Sequence, residues 1–106
     1  MKKVIGFAFA LSTACLWIPT ANAAQTGANG EELFKKNCSA CHPNGGNIIN
    51  PQKALRKADR ESNKVNTEEA IIGKMRTPGP GMSKFDANFL PDTDAKAIAE
   101  YILKTF

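Results

Sequence analysis

The run Cys38-Ser39-Ala40-Cys41-His42 constrains this chain more than any other feature. Two cysteines three apart near a helix end present both sulfurs on one side, where they can add to the two vinyl groups of a porphyrin. The adjacent histidine then offers an imidazole nitrogen to the iron. Cys-x-x-Cys-His is the attachment pattern of a c-type haem, and His42 is the only histidine present, so no other imidazole competes. A thioredoxin-like dithiol would need a βαβ context that the sequence does not show. Half a zinc site lacks partners, because the one remaining cysteine, Cys15, lies in an apolar N-terminal stretch. The expectation is one haem c, held covalently by Cys38 and Cys41, with His42 as the proximal iron ligand.

Lys2 and Lys3 precede an apolar run from Val4 to Ile18, followed by Ala21-Asn22-Ala23. A short basic region, an apolar stretch and a small-x-small site make a secretory signal peptide. The run falls short of the ~20 apolar residues that a membrane span requires. Residues 1–23 are therefore expected to be cleaved, leaving a domain of residues 24–106 exported to the periplasm. The rival is a lipoprotein signal in which Cys15 is acylated and anchors the protein to the outer membrane. Leu11-Ser12-Thr13-Ala14 has the small residues for it, but Ser12 stands where a leucine is usual. Export suits the haem, since c-type cytochromes are finished outside the cytoplasm. Both remaining cysteines would be consumed as thioethers, so no disulfide is expected.

A domain this small buries a modest share of its surface and commonly needs a staple, a role that a covalent haem fills. The formal charge of +4 owes half its value to Lys2 and Lys3, and the two haem carboxylates would offset most of the rest. The basic balance therefore gives no reason to expect a nucleic acid partner. Lys53, Arg56, Lys57, Arg60 and Lys64 read as a solvated helix face, with a partner-docking patch as the intermediate reading.

Asn29 can cap a helix in which Glu32 stands three residues on, and Gly30, Phe34 and Cys38 then share one face. Pro43 and Gly45-Gly46 stop that helix and let backbone approach the ring closely. Asn47 to Pro51 reads as an irregular loop and Gln52 to Asp59 as a short helix. A further helix runs from Thr67 to about Arg76, with Ile71 and Met75 four apart. It ends at Thr77-Pro78-Gly79-Pro80-Gly81. The last spans about Thr93 to Lys104, with Ala95, Ile98, Ala99 and Ile102 forming one stripe. No strand-like alternation or repeat is visible, so the fold class is all-α with long loops.

With the one histidine used, the soft candidates for a second axial ligand are Met75 and Met82. Met75 sits at core spacing within a helix, which suits packing. Met82 follows a Pro/Gly strap whose prolines restrict φ while its glycines permit close approach to the ring, so Met82 is favoured. Thioether ligation would raise the reduction potential and occupy the sixth position, leaving one-electron exchange as the chemistry.

Several segments together resemble the class I cytochromes c, in their cytochrome c6-like (c553-like) monohaem branch. Gly30-Glu31-Glu32-Leu33-Phe34 is similar to the family's first helix and Ile98-Ala99-Glu100-Tyr101-Ile102 to its last. The resemblance thus implies a crossing of Gly30 and Phe34 with Tyr101. His42-Pro43-Asn44-Gly45-Gly46-Asn47-Ile48-Ile49, with Lys53-Ala54-Leu55 after it, is similar to the loop that follows attachment. Gly81-Met82-Ser83-Lys84-Phe85 resembles the axial methionine segment. Two positions depart: Ser83 replaces a common proline, and Pro91 stands where a capping serine is common, which leaves the start of the last helix open. The likeness spans nearly all of residues 27–106. It implies about four helices around one haem, and a monomeric electron carrier, not an enzyme, working between larger redox proteins as donor and acceptor. Nothing in the sequence points to photosynthetic partners. A rival from another class is a haem enzyme or gas sensor with a labile sixth ligand. A non-haem metal or dithiol binding module is the other.

Mass analysis of native material tests the N-terminus. Cleavage after Ala23 gives a soluble chain beginning Ala24-Gln25-Thr26, whereas an acylated Cys15 in the membrane fraction overturns that reading.

Overall fold

The computed structural model describes residues 29–106; the expected signal peptide and Cys15 lie outside the described residues. Four α-helices follow in order: α1 (Gly30–Asn37), α2 (Lys57–Ser62), α3 (Glu68–Arg76) and α4 (Asp92–Thr105). Single 3₁₀ turns occupy Pro43–Gly45 and Pro51–Lys53, and the described residues contain no strand.

Asn29 starts α1 by accepting the Glu31 N–H at 3.0 Å on its side-chain oxygen. Glu31 and Glu32 in the first turn and Lys35 and Lys36 in the last match the helix dipole. The helix then lies across α4. A Cβ on Gly30 would overlap the Ala97 carbonyl, so only glycine permits this approach. Phe34 fills the space beyond, its ring centroid 5.4 Å from those of both Tyr101 and Phe106. The expected Gly30/Phe34–Tyr101 crossing is present.

Thr67 caps α3 through a 3.1 Å bond from the Ala70 N–H. Ile71 and Met75, both 4 % exposed, join Ala95, Ile98, Ala99 and Ile102 of α4 in one core. Pro91 precedes α4 with no side-chain cap, and its carbonyl receives the N–H groups of both Asp94 and Ala95. That settles the start of α4 at Asp92, one residue before the expected Thr93.

The middle of the chain corrects two expectations. Gln52 to Asp59 is not one helix: Ala54 and Arg56 are extended between the second 3₁₀ turn and α2. The cause is tertiary. Ala54 is buried, and the Leu55 N–H bonds the Gly45 carbonyl at 2.6 Å, which pulls this stretch out of helical register. Arg60 does not belong to a solvated face either. It is 4 % exposed, because its guanidinium turns inward onto backbone carbonyls.

Two glycine substitutions separate packing from propensity. Gly30→Ala should lower stability by about 1–3 kcal/mol, since the new methyl meets backbone that cannot yield. At Gly73, in the middle of α3, a Cβ meets nothing within 4 Å, and Gly73→Ala should stabilise by roughly 0.5–1 kcal/mol. Denaturant unfolding of the haem-loaded protein reads both.

Candidate haem site

α1 stops at Asn37, but its last carbonyls carry the chain into the attachment turn. Phe34 O accepts from both Cys38 N and Ser39 N, at 2.8 and 3.0 Å. Cys38 O in turn accepts from Cys41 N and His42 N, at 3.2 and 2.8 Å. One tight turn therefore holds both cysteines and the histidine. Cys41 is exposed and Cys38 half-buried. Burial pushes the Cys38 thiol up to about 11, with the neighbouring Cys41 adding to the shift.

His42 is buried, and its Nδ1 lies 2.8 Å from the Gly46 carbonyl oxygen. A carbonyl only accepts, so Nδ1 carries the proton and Nε2 keeps its lone pair for a metal. The loop that supplies this carbonyl is built by Asn47. Its Oδ1 accepts from Ile49 N and Asn50 N at 2.9 and 2.8 Å, and its Nδ2 donates to Lys53 O at 3.2 Å. Gly45 has φ +79°, and a Cβ there would meet the Phe106 ring at 2.5 Å. The second glycine of the pair thus aims the His42 partner, while the first admits an aromatic ring.

The strap after α3 is equally fixed. Gly81 takes φ +88° and passes close to Ile49, whose Cγ2 would lie 3.2 Å from an added Cβ. Phe85 N donates to Met75 O at 2.9 Å, and Arg76 Nη1 donates to Phe85 O at 2.9 Å. Arg76 Nη2 also reaches Asp92 at 2.7 Å, tying strap to α4, although Asp92 is so exposed that this pair contributes little on its own.

These pieces border a cavity of about 260 Å³, lined by Cys38, Cys41 and His42 and also by Met75 and Met82. Leu55, Val65, Ile71, Phe85 and Leu90 supply apolar wall. The two methionines differ: Met75 is packed in the α3/α4 core, whereas Met82 is half-buried on the strap. A free imidazole nitrogen, two thiols on one turn, a thioether and an apolar wall fit a covalently attached haem. Among the described residues no group of three or more His, Cys, Asp and Glu side chains is placed to hold a bare metal ion. Cys38, Cys41, His42 and Met82, the four residues singled out from the sequence, all line this cavity, and so does Arg60, which the sequence assigned to a solvated face. No local signal distinguishes Arg60 from the lysines around it.

The family model described as cytochrome c oxidase, cbb3-type, subunit III, matches residues 25–102. The cytochrome c6 of Cyanidioschyzon merolae is 40 % identical over 76 residues, spanning 72 % of this chain and 71 % of that protein. The chain belongs to the class I cytochromes c of the cytochrome c6 type. It is a monohaem electron carrier with one covalently bound haem c. Among solved structures, the outer membrane cytochrome F (OmcF) of Geobacter sulfurreducens superposes on this cytochrome with a TM-score of 0.71. The two are 42 % identical over 74 % of this chain and 99 % of that one. Cytochrome c6B from Synechococcus sp. WH8102 is 33 % identical, with a TM-score of 0.64 over 71 % of this chain and 84 % of that one. Among the described residues no helix is long and apolar enough to cross a membrane.

Asn47→Ala removes three hydrogen bonds from the loop that positions the His42 partner. It should cost roughly 1–3 kcal/mol of stability in the haem-loaded protein, read by denaturant unfolding. The visible band positions should stay put, because the residue is not a ligand.

Proposed function

We propose that Cys38 and Cys41 carry the thioether bonds of this cytochrome, that His42 ligates the iron through Nε2, and that Met82 is the distal ligand. The observation that carries this reading is the His42 ring. It is buried beside two thiols and orders its tautomer by donating to Gly46, as ligating histidines commonly do to a carbonyl. Met82 is preferred over Met75 because the strap is pinned at both ends by Phe85 and Arg76 and needs no core side chain to turn inward. Met75, by contrast, would leave a hole between Ile71 and α4.

When bound, the haem supplies a one-electron Fe(II)/Fe(III) couple. The chain's own work is then to exclude water with Ile71, Phe85 and Leu90, to hold the imidazole tautomer, and to keep the thioether in place. A closed sixth position suits a carrier better than an enzyme or gas sensor. The partners are larger redox proteins acting as donor and acceptor, met by a monomer exported to the periplasm as residues 24–106, with anchoring through Cys15 as the alternative. Small, transient interfaces serve such encounters. Arg60 is unavailable to a docking patch, which leaves Lys53, Arg56, Lys57 and Lys64 as its basic members.

Mass spectrometry of material matured in a competent host should show one haem's added mass that survives denaturation; a bare polypeptide mass sinks the attachment assignment. Met82→Ala should remove the weak far-red absorption of ferric thioether-ligated haem and open the iron to carbon monoxide. It should also lower the potential by a sizeable share of the ~0.8 V that axial ligation spans. Met75→Leu is nearly volume-neutral and should cost less than about 1.5 kcal/mol while leaving the spectrum unchanged. The reverse pattern would exchange the roles of the two methionines.

A further inference from the structure

Between Pro78 and Lys84 the strap holds itself weakly. Among the described residues its one hydrogen bond there runs from Met82 N to Gly79 O at 3.4 Å, longer than a good N–H donor bond. Ser83 leaves the backbone beside Met82 free to turn as a proline would not, and Gly79 and Gly81 add further freedom. What holds the strap is its far end. Both backbone groups of Phe85 bond consecutive residues of α3: the N–H donates to Met75 O and the carbonyl accepts from Arg76 Nη1, each at 2.9 Å. Met75 O is one of the carbonyls left free at the end of any helix. The Arg76 bond is the one that a side chain decides. Its Nη2 also donates to Asp92 Oδ1 at 2.7 Å, in the first turn of α4, so one planar guanidinium spans α3, strap and α4. The Arg76 side chain is 22 % exposed against 86 % for Asp92. The ion pair is therefore screened and serves to orient the guanidinium, while the bond to the strap carbonyl is part-buried.

We propose that Arg76 is a positioning residue for the sixth position: by closing the strap at Phe85 O, it sets how long Met82 stays on the iron. The inference rests on Met82 as the distal ligand. Residues 76–85 form a loop closed at its base by the two bonds to Phe85, and Met82 stands three residues from that base. With the base shut, a thioether that leaves the iron has few places to go and returns. Without the guanidinium a single backbone bond closes the loop, which then gains conformational freedom and opens more often. A bond from a charged donor is among the stronger hydrogen bonds, so its loss weighs on that opening. Arg76 does not line the cavity and acts through the strap alone.

The test follows imidazole binding to the ferric, haem-loaded protein by stopped flow. Where a resident ligand must leave first, the observed rate rises with imidazole and levels off at the rate of that departure. Arg76→Met keeps the apolar stem and removes the guanidinium. It should raise the plateau roughly tenfold or more, while the weak far-red absorption persists because Met82 still ligates at rest. Arg76→Lys keeps the charge but loses the fork that serves two partners at once, and its plateau should lie between those of the parent and Arg76→Met. Gly30→Ala controls for general loss of stability, since it weakens the α1/α4 crossing, and should leave the plateau at the parent value. An unchanged plateau in Arg76→Met, or an equal rise in Gly30→Ala, would overturn the proposal. Should Arg76→Met fail to accumulate, Arg76→Lys decides, and a parental plateau there overturns it. Met82→Ala, run alongside, should lose both the plateau and the far-red band. Retention of both would refute the ligand assignment itself, which separates that failure from a failure of Arg76 alone.

Discussion

Everything in this fold hangs on the place where α1 and α4 touch. Backbone meets backbone there, with the Gly30 Cα facing the Ala97 carbonyl and no room for a methyl between them. That closeness lets one side chain, Phe34, reach both Tyr101 and Phe106. It also sets where Cys38 emerges, because the attachment turn begins on the last carbonyls of α1. The haem site is thus an outgrowth of a helix crossing, and its position is set before any ligand chemistry enters.

The site itself is assembled from backbone more than from side chains. The His42 tautomer is fixed by a carbonyl, the strap by the Met75 and Phe85 carbonyls, and the buried arginine by two carbonyls. Backbone groups are present whatever the sequence, so the chain specifies the site mainly by deciding where backbone may bend. Asn44 and the positive-φ glycines Gly45 and Gly81 make those decisions. Likeness to the cytochrome c6 of Cyanidioschyzon merolae and to OmcF of Geobacter sulfurreducens is in keeping with a site so specified.

The local features of the chain were legible in its sequence. Asn29 and Thr67 cap helices because short polar side chains reach the first free N–H groups, a rule that needs no tertiary knowledge. The α4 stripe and the attachment motif are equally local. What could not be read was decided over distance. Ala54 and Leu55 lie in a run of helix-forming residues, yet a bond to Gly45 overrides propensity. Arg60 resembles its basic neighbours until α4 brings Ile102 to it across 42 residues. Phe106, at the end of a helix where fraying is usual, is instead held by two aromatic rings and by the Lys57 N–H on its carbonyl.

The helices that cross are the first and the last described, so their contact closes a long loop through everything between. Loop closure costs entropy that rises only slowly with length, and once it is met the intervening chain can open without parting the ends. Apart from the buried Ala54 and Arg60, the stretch from Asn47 to Asn66 has one short helix, a 3₁₀ turn and mostly exposed side-chain hydrogen bonds. Native-state hydrogen exchange in such an arrangement divides into two regimes. Amides of α1 and α4 should then exchange only on global unfolding, and those between Asn47 and Asn66 through local opening on a scaffold that stays shut.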